Sequence, residues 1–223
     1  MNEIIPYGDK ALLLRAGDDI SPETNAVVRK MMCLFDENPV HGVVDITPSY
    51  NELLVCYDPL SLPFDDLLET IHAYQSRLHA VTLPEGSLVE IPVIYGGRAG
   101  PDLAEVARIN DLSVEEVIQI HSHVDYLVYM LGFTPGFCYL GGMDSRIAAP
   151  RKENPPIRVN AGSVGIAGQQ TGIYPIESPG GWQIIGRTDL MLFDPERDPV
   201  FLAHPGDRVR FIAVGEGETG KKR

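Results

Sequence analysis

Apolar and polar positions along the first 86 residues predict strands and helices in turn. Ala11, Leu12, Leu13 and Leu14 make a short apolar run after the turn residues Tyr7-Gly8-Asp9, as a buried strand would. Ser21-Pro22 then supplies a helix N-cap with proline at the first helical position. Behind it Val27, Val28, Met31, Met32, Leu34 and Phe35 recur at three- and four-residue spacing, the apolar stripe of a packed helix. Residues 40–46 and Glu52–Tyr57 read as two strands joined through Pro48-Ser49-Tyr50-Asn51. Pro63 opens a second helix with the stripe Phe64, Leu67, Leu68, Ile71 and Leu78. The order β-β-α-β-β-α, followed by a strand at Leu88–Tyr95, predicts an α+β layer. Its expected form is ferredoxin-like, an antiparallel sheet with two helices on one side.

The pattern changes after residue 86. A helical insert is expected at 101–122. Pro101 starts one short helix, and Ser113-Val114-Glu115-Glu116 is a capping box that starts another, with Val114, Val117, Ile118 and His121 on one face. From Tyr126 onward short β-like runs (127–131, 162–166, 183–185, 190–193 and 209–214) are broken by Gly and Pro, which points to a β-barrel or sandwich. Residues 215–223 read as a frayed tail.

Composition sharpens the division. The chain has 223 residues and a formal charge of −13, but residues 1–86 hold fourteen acidic and five basic side chains, and half of the 22 glycines lie between Gly132 and Gly186. Two domains are expected, 1–86 and 87–223. The acidic balance argues against nucleic-acid binding, which needs clustered cations. No apolar run reaches the ~20 residues that span a bilayer, and the opening ten residues lack the pattern of a secretory signal. Cys33, Cys56 and Cys138 lie far apart without a CxxC, so neither a disulfide framework nor a metal site is expected, and a cytoplasmic location fits.

Candidate chemistry concentrates between Gly132 and Thr188. Gly132-Phe133-Thr134-Pro135-Gly136-Phe137-Cys138-Tyr139-Leu140-Gly141-Gly142 sets aromatics between glycines. This suits either barrel corners or a loop whose main chain a ligand approaches, with Phe133 and Tyr139 as apolar walls. The sequence contains no GxxxxGK[ST] and no GxGxxG between a strand and a helix. Ala161-Gly162-Ser163-Val164-Gly165 lacks the first glycine of a nucleophile elbow. His121-Ser122-His123 has no third ligand at metal-site spacing. His121 itself reads either as an imidazole at a helix C-terminus, where its positive form is favoured, or as a general acid/base facing the barrel. The run Gln169-Gln170-Thr171-Gly172-Ile173-Tyr174 offers amide, hydroxyl and phenol groups in a run read as too tight to be core, uncharged donors and acceptors suited to a small polar amide or carboxylate ligand. Trp182 walls the same pocket or packs the barrel, and Arg158 and Arg187 either hold a carboxylate or lie on the surface.

These pieces carry a resemblance. Ile91-Pro92-Val93-Ile94-Tyr95-Gly96-Gly97, His121, Gly132-Phe133-x-Pro135-Gly136-Phe137-x-Tyr139-Leu140-Gly141, Ala161 to Ile166, Gln170-Thr171-Gly172-x-Tyr174-Pro175, Ser178-Pro179-Gly180-Gly181-Trp182 and Leu192-Phe193-Asp194-Pro195 occur in order along the second domain. Together they resemble the KipI family, also described as allophanate hydrolase subunit 1 or as the B-type subunit of 5-oxoprolinase. Cys138 and Asn160 stand where that pattern commonly has proline. The resemblance implies an α+β domain followed by a cyclophilin-like barrel. It also implies ATP-driven opening of 5-oxoproline to glutamate, shared with a hydantoinase-like A-type and a KipA-like C-type subunit, the ATP being used by the complex and not held by this chain. Within that implication His121 is the catalytic candidate, with Gln170, Thr171 and Tyr174 beside it at the reacting centre; Phe133, Tyr139, Trp182 and Arg158, read above from their residue types, are the further substrate-binding candidates. Other members imply an inhibitor of a sporulation histidine kinase, or action on a urea-derived amide.

Overall fold

The computed structural model describes residues 3–215, so the tail read at 215–223 lies outside the described residues from 216 onward. The chain divides into two compact units, one ending at Glu85 and the other beginning at Gly86.

The first unit runs β1 (Glu3–Pro6), β2 (Ala11–Arg15), α1 (Pro22–Glu37), β3 (Val43–Pro48), β4 (Glu52–Tyr57) and α2 (Phe64–Arg77). Its sheet has the order β1-β2-β4-β3, with every pair antiparallel. Alternation sets which side chains are buried: Leu12 sits opposite Val55 and Leu14 opposite Leu53, and all four are enclosed, while Leu13 and Leu54 face the other way. Val28, Met31, Leu34 and Phe35 of α1 and Leu67, Ile71 and Tyr74 of α2 complete this core. Ser21 caps α1 as expected, its hydroxyl accepting from the Thr24 amide at 3.2 Å.

Two details differ from expectation. The strand read at 40–46 begins at Val43 and runs to Pro48, since Val40 instead closes a turn by accepting from the Val43 amide. And β2 and β3 are parallel with β4 between them, while the outer neighbour of β2 is the N-terminal strand β1. The edge strand thus comes first in the chain, where a β-α-β-β-α-β order would place it last.

The second unit is a closed seven-stranded barrel of β5 (Leu88–Tyr95), β6 (Asp125–Leu131), β7 (Cys138–Gly141), β8 (Ser163–Ala167), β9 (Gln170–Ile173), β10 (Gln183–Arg187) and β11 (Arg208–Ala213). Around the barrel they stand as β10-β5-β11-β6-β7-β9-β8. The β5–β11 pair is parallel and the others are antiparallel. Inward residues Ile91, Val93, Val128, Leu140, Val164, Ile166, Ile173, Val209 and Phe211 make the core. The helical insert consists of α3 (Leu103–Ile109) and α4 (Val114–Ser122). α4 starts in the expected reciprocal capping box, with the Ser113 hydroxyl on the Glu116 amide and the Glu116 carboxylate on the Ser113 amide.

The run 190–193 is not a strand. Only Phe193 bridges, to Phe201, because its neighbours spend their main chain on a loop held by Arg197. Conversely β7 and β9 are strands that their turn-like composition concealed. Gly168-Gln169 forms a two-residue connection between β8 and β9, with Gly168 at φ +58°. Among the described residues no helix is long and apolar enough to cross a membrane.

Candidate functional site

The structure distributes the sequence-predicted residues over three places in the barrel unit. The first is the interior. His121, at the end of α4, has no exposed surface. Its Nδ1 lies 2.7 Å from the Tyr95 hydroxyl and its Nε2 lies 2.8 Å from Thr171 Oγ1. The Thr171 hydroxyl donates its one hydrogen to the Gly165 carbonyl at 3.0 Å, so it accepts from His121 Nε2–H. Nδ1 must then accept from Tyr95 O–H. The imidazole is therefore the neutral Nε2–H tautomer, stacked on Phe211 with ring centroids 4.5 Å apart. Burial pulls its pKa down to about 3. The expected positive imidazole at a helix end is thus corrected: removal from water outweighs the attraction of the helix terminus. The run 169–174 is corrected too, because Thr171, Ile173 and Tyr174 are buried. Its second half is core, with the Thr171 hydroxyl fully used inside, while Gln169 is exposed and Gln170 half-buried.

The second place is the outer face of β7, β9 and β8. Tyr139, Gly172 and Gly165 stand side by side across three strands. A Cβ on Gly172 would meet Phe137 Cζ and Trp182 Cζ3, both at 3.1 Å, and one on Gly165 would meet Trp182 Cβ at 3.1 Å. The two glycines therefore make a flat floor on which Phe137 and Trp182 rest edge to face, centroids 5.4 Å apart, with Tyr174 and Tyr139 beside them. Trp182 and Tyr174 are buried packing residues, whereas Tyr139 and Gln170 are half-buried. Phe133 stands at the rim, 62% exposed and at φ +64°, its ring edge-on to Phe137. A bulky side chain in that backbone region is strained, and such strain clusters at functional sites.

The third place is a cleft of about 410 Å³ beside β10. The loop after β5 supplies Arg98, the segment 152–160 supplies Lys152, Arg158 and Asn160, and β8 and β10 supply Ser163 and Arg187. Lys152 is paired with Asp102 at 2.7 Å and Arg158 with Glu177 at 2.6 Å. Asp102 also accepts from the Ile184 amide at 2.7 Å, pinning the start of the insert to β10. Arg158 and Arg187 do share a cleft, as their reading as carboxylate holders requires. Arg98 and Lys152 were missed, because nothing in sequence joins positions 98, 152 and 187. Cys138 lies buried on the sheet, where burial pushes its thiol up to about 12. Among the described residues no group of three or more His, Cys, Asp or Glu could hold a metal ion.

Known proteins match this architecture along its length. The model of the family "Carboxyltransferase domain, subdomain C and D" matches residues 2–203. The B-type 5-oxoprolinase subunit of Bacillus subtilis (strain 168) is 45% identical over 96% of this chain and 93% of its own. Its counterpart in Escherichia coli O157:H7 is 48% identical over 79% of this chain and 80% of its own. Among solved structures, the protein TTHA0988 superposes with a TM-score of 0.81 and 40% identity; the match covers 94% of this chain but 41% of that longer one. This chain belongs to the family of carboxyltransferase-domain C and D proteins that includes the B-type subunits of 5-oxoprolinase.

Proposed function

We propose that this chain is the B-type subunit of an ATP-dependent 5-oxoprolinase, inactive alone, which opens 5-oxoproline to L-glutamate together with A-type and C-type subunits in the cytoplasm. The observation that carries the reading is the 45% identity with a known B-type subunit, spread over 96% of the chain and so over both structural units. The sequence has no GxxxxGK[ST] motif, which is consistent with ATP being held by a partner. The lactam oxygen takes the γ-phosphoryl group of ATP with release of ADP; water then adds to the lactam carbon, the ring C–N bond breaks with its nitrogen taking a proton, and phosphate leaves to give glutamate. The same reading makes the first unit a ferredoxin-like sheet in permuted order and the barrel cyclophilin-like.

The substrate-facing roles fall on the barrel's surface. Gln170, Tyr139 and Phe133 offer an amide, a phenol and an aromatic wall that a ligand can reach, backed by Trp182 and Tyr174. Arg158 belongs to the cationic cleft. His121 and Thr171 are positioning residues, since their polar atoms are already bonded to each other, to Tyr95 and to Gly165. The test is glutamate release from 5-oxoproline and ATP, measured on the chain alone and with its matching A- and C-type subunits. Release only from the mixture is expected; none from a mixture that assembles on gel filtration would sink the reading.

A further inference from the structure

We propose that the cleft beside β10 is a binding site for a small organic monocarboxylate, with Arg98 and Arg187 as its two binding forks. The choice of 5-oxoproline as the natural ligand rests on the function proposed above; the site itself does not.

Charge decides the class of ligand. Arg98, Lys152, Arg158 and Arg187 line the cleft with Asp189. Asp102 pairs with Lys152 and Glu177 with Arg158. Among the described residues, four cations against three carboxylates leave a surplus of one positive charge, which a monocarboxylate balances and a phosphate dianion or a nucleotide overfills. This local surplus sits in a chain whose formal charge is −13. The ion pairs also divide the labour. Lys152 and Arg158 are held by their carboxylates, whereas Arg98 and Arg187 make no side-chain ion pair or hydrogen bond among the described residues. Guanidinium forks match carboxylate geometry in two parallel hydrogen bonds.

The frame around them is stiff and partly apolar. The loop carrying Arg98 is fixed because Asp102 holds the Ile184 amide and because Gly100 packs so closely on β10 that a Cβ there would collide with the Ile185 carbonyl. Ile94, Pro101, Pro156, Val159 and Ile184 wall the cleft, and about 410 Å³ is the size of small-molecule sites. Ser163 and Asn160 add uncharged donors and acceptors suited to a ring amide.

The test is calorimetric titration of the full chain with 5-oxoproline, cyclopentanecarboxylate, 2-pyrrolidone and inorganic phosphate, joined to KM measurements on the assembled subunits. Both carboxylates are expected to bind and the uncharged 2-pyrrolidone to bind at least about tenfold more weakly, the scale of a lost charged hydrogen bond. Arg98→Gln and Arg187→Gln should each weaken both carboxylates, and raise KM for 5-oxoproline, by at least about tenfold. Arg187→Lys, which keeps charge but loses the fork, should fall between, and Arg146→Gln, on an arginine outside the cleft, should change neither. Phosphate binding tighter than either carboxylate, or Gln variants matching wild type in both binding and KM, overturns the proposal, as does the absence of carboxylate binding to chain and assembly alike. Binding of both carboxylates through the two arginines without glutamate release leaves the site standing and fells the 5-oxoprolinase reading. Glutamate release with carboxylate binding and KM both unchanged in the two Gln variants does the reverse.

Discussion

The chain of hydrogen bonds from Tyr95 through His121 and Thr171 to Gly165 joins β5, α4, β9 and β8 by side chains that point inward. Each member has its donors and acceptors matched, so the network is stabilising only while the imidazole stays neutral. Its folded pKa of about 3 lies below the ordinary value of 6.5. The unfolded chain therefore takes up the proton first, and this contribution, complete above pH 6.5, is lost as pH falls from 6.5 toward 3. The slope for one group is about 1.4 kcal/mol per pH unit. His121→Gln should lower stability overall, through the lost stack on Phe211, yet flatten the decline in urea-derived stability between pH 6.5 and about 4.5, above the usual carboxylate range. An equal slope in both proteins would refute the neutral-imidazole assignment. On the outer face, Gly172→Ala should cost about 1–3 kcal/mol by overpacking, since the new Cβ meets the Cys138 carbonyl at 3.0 Å as well as two rings. Trp182 is the only tryptophan, so its emission reports the disturbed floor directly. The aromatic and glycine residues of this slab were visible in the sequence as a cluster. Which face of β9 each neighbour takes was not: Thr171 points in and Gly172 out, and that follows only once four residues of polar appearance are known to be a strand.

At the scale of elements, legibility followed local signals. The helices announced themselves through Ser21-Pro22, the Ser113 box and their apolar stripes, all contained within a few residues. β7 and β9 have four residues each, and the side chains that bury them come from distant segments, so no local pattern could reveal them. Run 190–193 shows the converse, an apolar stretch that pairs with residues 200–202 through a single bridge and builds no strand. The docking of the insert is the element-scale feature with most consequence for the cleft. Gly100→Ala should be severely destabilising, because the obstacle is the main chain of β10, which cannot rotate away as a side chain would. Ser113→Ala should cost about 1 kcal/mol, the usual value of an N-cap, and leave the cleft's ligand affinity unchanged. Thermal melts of the two variants beside wild type check both: a Gly100→Ala protein as stable as Ser113→Ala would mean the loop after β5 is free to lift from β10.

Across the whole molecule, charge and burial partition together. The first unit has its own core of thirteen buried residues from Leu12 to Tyr74, and the barrel unit has a separate one beginning at Ile91. Residues 1–85 also hold fourteen of the 31 acidic side chains against five of the 18 basic ones. A unit of this size with a continuous apolar core is within the range that folds alone. Its excess of like charge opposes compaction, and more so at low salt, where the Debye length is about 30 Å at 0.01 M against about 8 Å at 0.15 M. A fragment of residues 1–85 should therefore unfold cooperatively, with amide resonances matching those of the full chain for residues far from the cut. Its melting temperature should rise between those two salt concentrations. The barrel fragment 86–223 has a smaller charge excess, four net negative charges, and should show the weaker salt response. An unfolded 1–85 fragment at both salts would mean that its core depends on the barrel. A folded fragment whose stability ignores salt would mean that its charges are already spaced or paired well enough to cancel, as the Arg15 pairs with Glu3 and Glu52 do locally at 2.9 Å.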